Sequence, residues 1–115
     1  MAQGKKDGKV FFANSEAKPV DMLPGVVRRT LGIGEKVLLC EITLQKGAVV
    51  PVHSHAHEQV GYIVQGIQRL VIGGEERILR AGDSYVIESG LPHEAEVLED
   101  SVAIDVFSPV REDYR

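Results

Sequence analysis

The 115-residue chain has one cysteine. That excludes an internal disulfide framework and fits a reducing, cytoplasmic setting. No apolar run exceeds a handful of residues, far short of the ~20 a membrane-spanning helix needs. The opening stretch MAQGKKDGK lacks the apolar core of a secretory leader. Positive charge is not in excess: 13 Lys and Arg against 17 Asp and Glu leave a net charge of −4. This argues against a basic surface for nucleic acid. Also missing are long segments with apolar residues at helical spacing, repeats of solenoid length and low-complexity tracts.

What is there reads as all-β. Twelve glycines and five prolines punctuate short β-rich runs. Residues 1–8, small and polar, are expected to form a flexible tail, and residues 9–115 one domain. Strands are predicted at Val10–Ala13, Gly25–Thr30, Val37–Leu44, Gln59–Gln65, Gln68–Ile72, Arg77–Leu79, Ser84–Ile87, Glu94–Leu98 and Ser101–Phe107. Gly73-Gly74 reads as a hairpin turn. Period-two alternation puts Leu38, Cys40, Ile42 and Leu44 on one face. Cys40 among them reads as a buried core thiol. Many short strands at regular spacing suggest a sandwich or small barrel.

All four histidines fall in two short motifs, His53-Ser54-His55-Ala56-His57 and the lone His93. In a regular strand His53, His55, His57 and Gln59 would face one way. Imidazole nitrogens and an amide oxygen are competent ligands for a borderline divalent metal. His-x-His makes a two-tooth clamp, because the residue between points away.

The last apolar run carries a second signal. Val102, Ile104 and Val106 share one face, and Ala103, Asp105 and Phe107 the other. An acid inside an apolar strand needs a reason. One reading puts Asp105 and Phe107 on a pocket wall, with Arg111 at its mouth to clamp a carboxylate. Asp105 would then act as general acid and base. The other makes Asp105 and Arg111 a structural ion pair that ties down the C-terminus.

The segment GAVVPVHSHAHEQVGYIVQG, Gly47 to Gly66, resembles the first cupin motif, and GDSYVIESGLPH, Gly82 to His93, the second. Fifteen residues (67–81) separate them. The resemblance implies a single cupin (jelly-roll) β-barrel of two packed antiparallel sheets. It implies one divalent metal ion (Zn, Fe, Mn or Ni) held by His53, His55, Gln59 and His93. It skips His57, which reads as a neighbour of the ligands or a pocket residue. Three positions depart from the pattern: Gln59 replaces the usual Glu, Glu88 a Pro and Val97 an Asn. A neutral Gln leaves the metal's charge uncompensated, which favours polarisation of an anionic substrate. With IDVFSPVREDY added, the chain is similar to the pectin-degradation cupins that open 4,5-unsaturated uronates to linear keto-uronates. In that subgroup the acid, aromatic and arginine of the last strand match Asp105, Phe107 and Arg111.

The expected function is a metal-dependent isomerase or lyase-like enzyme acting on a small carboxylated sugar or keto acid. A cupin dioxygenase and a non-catalytic sugar or metal binding module are the alternatives. A homodimer is the default assembly, and neither nucleic acid nor membrane is an expected partner.

Overall fold

In the computed structural model, residues 8–115 are described. Most of the expected tail, residues 1–7, lies outside them. Strand alternation decides which side chains turn inward. In β3 (Leu38–Leu44), Leu38, Cys40 and Leu44 are buried. In β8 (His93–Ser108), Ser101, Ala103, Asp105 and Phe107 are buried, and Val102, Ile104 and Val106 look outward, half-buried. Cys40 is a core thiol as expected, and burial pushes it up to about 11.

The remaining strands are β1 (Val20–Leu23), β2 (Val26–Ile33), β4 (Val49–His53), β5 (Glu58–Ile72), β6 (Glu75–Arg80) and β7 (Ser84–Ile87). All pairings are antiparallel. The order is β1-β2-β3-β8-β5-β6, with β4 also on β8 and β7 also on β5.

Two long strands explain how one hydrogen-bonded network becomes two facing sheets. Residues 58–65 of β5 pair with 102–108 of β8, and with β7 outside them. Residues 67–72 of β5 pair with 93–99 of β8, flanked by β6 and β4. Between these halves the register slips repeatedly, from Ile63 to Gln68. Gly66 sits at the slip with φ +94°. A Cβ there would collide with Asp100 O and Ser101 Oγ, so only glycine allows the two strands to bend this close together. The halves then close on a shared core of Val26, Leu44, Ile63 and Ala103 from one, and Val97 from the other. Leu38, Cys40, Phe107 and Val110 form a second core cluster.

Several expectations need correction. Val10–Ala13 is not a strand; it leads into a short 3-10 turn at Asn14–Glu16. Its apolar residues are consecutive rather than alternating, and Val10 and Phe11 are exposed. The run 53–59 is not one strand either, since β4 stops at His53 and β5 starts at Glu58. The expected pairs Gln59–Gln65 with Gln68–Ile72, and Glu94–Leu98 with Ser101–Phe107, are single bent strands. Gly73-Gly74 does close the β5–β6 hairpin.

Candidate metal centre and pocket

His53, the last residue of β4, is the cross-strand partner of His93, the first residue of β8. That register sets their rings side by side, with centroids 4.1 Å apart. His55 comes from the loop between β4 and β5, and its ring lies 4.9 Å from that of His93. The ligating atoms of all three lie within 4.8 Å of one another.

The hydrogen bonds assign the tautomers. His53 Nδ1 lies 2.9 Å from Pro51 O, His55 Nδ1 2.9 Å from His57 O, and His93 Nδ1 2.9 Å from Leu91 O. A carbonyl can only accept, so each Nδ1 carries the proton and donates it. Each Nε2 is therefore left with a lone pair. That of His93 is buried with no partner among the described residues. A buried acceptor left unsatisfied costs about 1–3 kcal/mol. Burial also lowers the pKa of His55 and His93, which keeps both rings neutral and able to ligate.

Gln59, the second residue of β5, completes the set. Its Oε1 lies 3.1 Å from His55 Nε2. The Gln59 side chain also faces the carboxyl of Asp105 and lowers its pKa. A carboxylate accepts, so the amide NH₂ faces Asp105 and the oxygen faces His55. Two lone pairs then point at each other, an arrangement a cation between them relieves. Three imidazole nitrogens and one amide oxygen fit a borderline divalent ion such as Zn, Fe, Mn or Ni. His57 does not join the cluster; its backbone carbonyl orients His55, as a neighbour of the ligands would.

Asp105 is buried and aligned, across the strands, with Gly61 of β5. On the other side of Gly61 lies Tyr85 of β7. A Cβ at Gly61 would fall inside the Tyr85 ring. Because there is none, the ring lies over the glycine and its hydroxyl donates to Asp105 Oδ1 at 2.6 Å. Burial pushes the Asp105 carboxyl up, and the bonds from Tyr85 and Gln59 pull it partly back.

Phe107 packs edge-on against His55 at 5.8 Å. Arg111 makes no ion pair with Asp105; it grips Asp113 instead, Nε to Oδ1 at 3.2 Å and Nη2 to Oδ2 at 2.8 Å. The structural alternative for the Asp105–Arg111 pair therefore does not hold. The Arg111 guanidinium stacks on Tyr114 at 3.7 Å. Arg28 stacks on the same ring at 4.2 Å, and Thr30 Oγ1 donates to Tyr114 O at 2.6 Å.

The seven residues singled out in the sequence, His53, His55, Gln59, His93, Asp105, Phe107 and Arg111, line one cavity of about 400 Å³. Sequence reasoning missed Tyr85, Gln68 and Tyr114, which line it too. The signal for Tyr85 was faint: an aromatic at an inward position of a short strand, with a glycine opposite.

The family model described as a cupin domain matches residues 40–107. The pectin degradation protein KdgF of Dickeya dadantii is 33% identical over 106 residues, covering 90% of this chain and 96% of that protein. The structure of KdgF from a Halomonas species superposes with a TM-score of 0.87 at 37% identity, covering 93% of this chain and 99% of that one. An RmlC-like cupin from Shewanella frigidimarina superposes with a TM-score of 0.88 at 32% identity, covering 94% and 97%.

Proposed function

The chain belongs to the cupin family, and we propose that it is a metal-dependent enzyme that opens the ring of a small carboxylated sugar, with 4,5-unsaturated uronates as the specific substrate. The observation that carries this reading is the buried Asp105 carboxyl. It is held by Tyr85 and Gln59 on the wall of the cavity where three histidine lone pairs converge. The likeness to proteins named for pectin degradation supports a uronate over other small acids.

A divalent ion held by His53, His55, Gln59 and His93 would supply Lewis-acid polarisation of a substrate oxygen. Arg111 binds the substrate carboxylate, by the Nη1 that the Asp113 pair does not use or by exchanging Asp113 for the ligand. Phe107 forms an apolar wall that excludes water. Ring opening of a cyclic unsaturated uronate is an isomerisation. The anomeric hydroxyl loses a proton, the ring C–O bond breaks to leave an aldehyde and an enolate, and carbon 4 gains a proton as the ketone forms. Asp105 takes the first proton and returns one to carbon 4. Burial raises the pKa of this carboxyl, which makes it a stronger base than an ordinary carboxylate. No redox cofactor is needed.

The test follows loss of the enol-ether absorbance when 4,5-unsaturated galacturonate meets the metal-loaded protein. Wild type is expected to consume it, and Asp105→Asn and His55→Ala are expected to lose at least a hundredfold in rate. Decay no faster than the buffer background would retire this substrate.

We further propose that residues 9–115 form one cupin domain, that it acts in the cytoplasm, and that it works as a homodimer. The single buried thiol suits a reducing compartment. Among the described residues no helix is long and apolar enough to cross a membrane.

A further inference from the structure

The cavity lining includes a buried amide that the proposed reaction does not use. Gln68 lies on the inner face of the second half of β5, on the same side as Leu70 and Ile72, and all three line the cavity. Its cross-strand partners are Val97 and Leu79. The side chain is only 4% exposed. Its amide Nε2 is buried with no hydrogen-bond partner among the described residues. Burying an amide in such surroundings without a partner is costly, and a leucine would fill the same position without that cost. Structural need does not explain the residue, because the amide nitrogen ties nothing down.

Position suggests what it does. Gln68 is opposite Val97, and His93 is opposite Ile72, so four strand positions, about 13 Å, separate Gln68 from the histidines. Much of the cavity wall is apolar, with Val26, Leu44 and Ala103 among its residues. A polar group in such a wall fixes the orientation of a ligand.

We propose that Gln68 is a specificity-determining residue, whose side-chain amide hydrogen-bonds a ring hydroxyl of the sugar acid while the carboxylate and reacting oxygens lie toward Arg111 and the histidines. This rests on the reading that the cavity takes a small polyhydroxylated acid. A site built to bond a hydroxyl discriminates against the analogue that lacks it, because its own donor is then left unpaired.

The test has two arms on the metal-loaded protein, with Gln68→Met as the variant of similar volume. In the first, calorimetry measures binding of D-galacturonate and of its 2-deoxy and 3-deoxy analogues. Wild type is expected to bind one deoxy analogue about tenfold more weakly, and Gln68→Met to bind it and galacturonate alike. Discrimination that survives the substitution would overturn the proposal. In the second arm, the melting temperature is read without ligand. A residue kept for a ligand costs stability, so Gln68→Met is expected to melt higher. A lower melting point would make the amide a structural group and overturn the proposal. If wild type binds no uronate, the substrate reading fails, and the melting arm still decides the role of Gln68. With a second substrate-level readout, Gln68→Met is expected to raise KM with kcat little changed, since the group binds ground state and transition state alike.

Discussion

At the scale of single residues, protonation and steric room decide what the centre can do. His55 and His93 have pKa values lowered from 6.5 by burial. A base with a lowered folded pKa binds fewer protons than the unfolded chain. Its contribution is therefore full above the unfolded value and lost as pH falls through the folded one. Asp105, raised by burial, acts in the opposite sense: its contribution is full below the unfolded carboxyl value and lost as pH rises. The histidine share is isolated by difference. The melting temperature of metal-free wild type, minus that of a His55→Gln/His93→Gln variant, is expected to rise between pH 5 and 7 and then level off. A difference that stays flat across that interval would show that the rings do not titrate there. Gly61 offers a second test. Gly61→Ala forces the Tyr85 ring away from Asp105. Overpacking of this kind costs about 1–3 kcal/mol. Urea unfolding is expected to show that loss, and kcat is expected to fall more than KM changes. The candidate site residues were legible because histidines and a lone acid stand out against their strands. Gly61, Tyr85 and Gln68 were not. Their meaning lies in register across β7, β5 and β8, which no local pattern contains.

At the scale of elements, the reading of the strands failed wherever a strand bends or carries a proline. The expected runs break at Gly66-Ile67 and at Glu99-Asp100, inside β5 and β8. In the fold those residues sit where one strand passes from one sheet to the other. β4, with Pro51 inside it, reads poorly as a strand, and it pairs only with β8 at a sheet edge, where proline is tolerated. That edge strand ends on His53, so the irregular element is the one that positions a ligand. The C-terminal turn, Glu112–Tyr114, reads as a solvated tail from its charges alone. Tyr114 docks it on β2 through Thr30 and Arg28 and gives the Arg111 guanidinium a flat surface to lie on. Tyr114→Ala removes that surface. It is expected to raise KM for a carboxylated substrate several-fold with kcat nearly unchanged, and to lower stability by about 1–2 kcal/mol. Steady-state kinetics with thermal unfolding checks both; an unchanged KM would mean that Arg111 is placed without the stack.

At the scale of the whole molecule, the outer face of the first sheet is the feature that the fold leaves uncovered. Val60, Tyr62 and Val64 of β5 and Val86 of β7 are all exposed. Val60 pairs with Val86 on one side and Val106 on the other, and Tyr62 pairs with Ile104. These side chains therefore form one continuous apolar surface and not scattered single exposures. A monomer seldom leaves such a face to water, and a stable pair of subunits covers about 800 Å² on each. The alternation that made Val102, Ile104 and Val106 an apolar outer stripe was visible in the sequence. Its extension across β5 and β7 was not, because it depends on which strands become neighbours. The proposed homodimer uses this face. Sedimentation equilibrium at micromolar concentration is expected to give twice the 12.6 kDa chain mass. Tyr62→Lys places a charge in the middle of the patch, and it is expected to halve that mass while leaving the far-UV spectrum unchanged. Tyr62 points away from the cavity, so metal binding by the monomeric variant is expected to persist. A wild type that sediments as a monomer would leave the face without this partner, and a Tyr62→Lys protein that stays dimeric would move the interface elsewhere on the barrel.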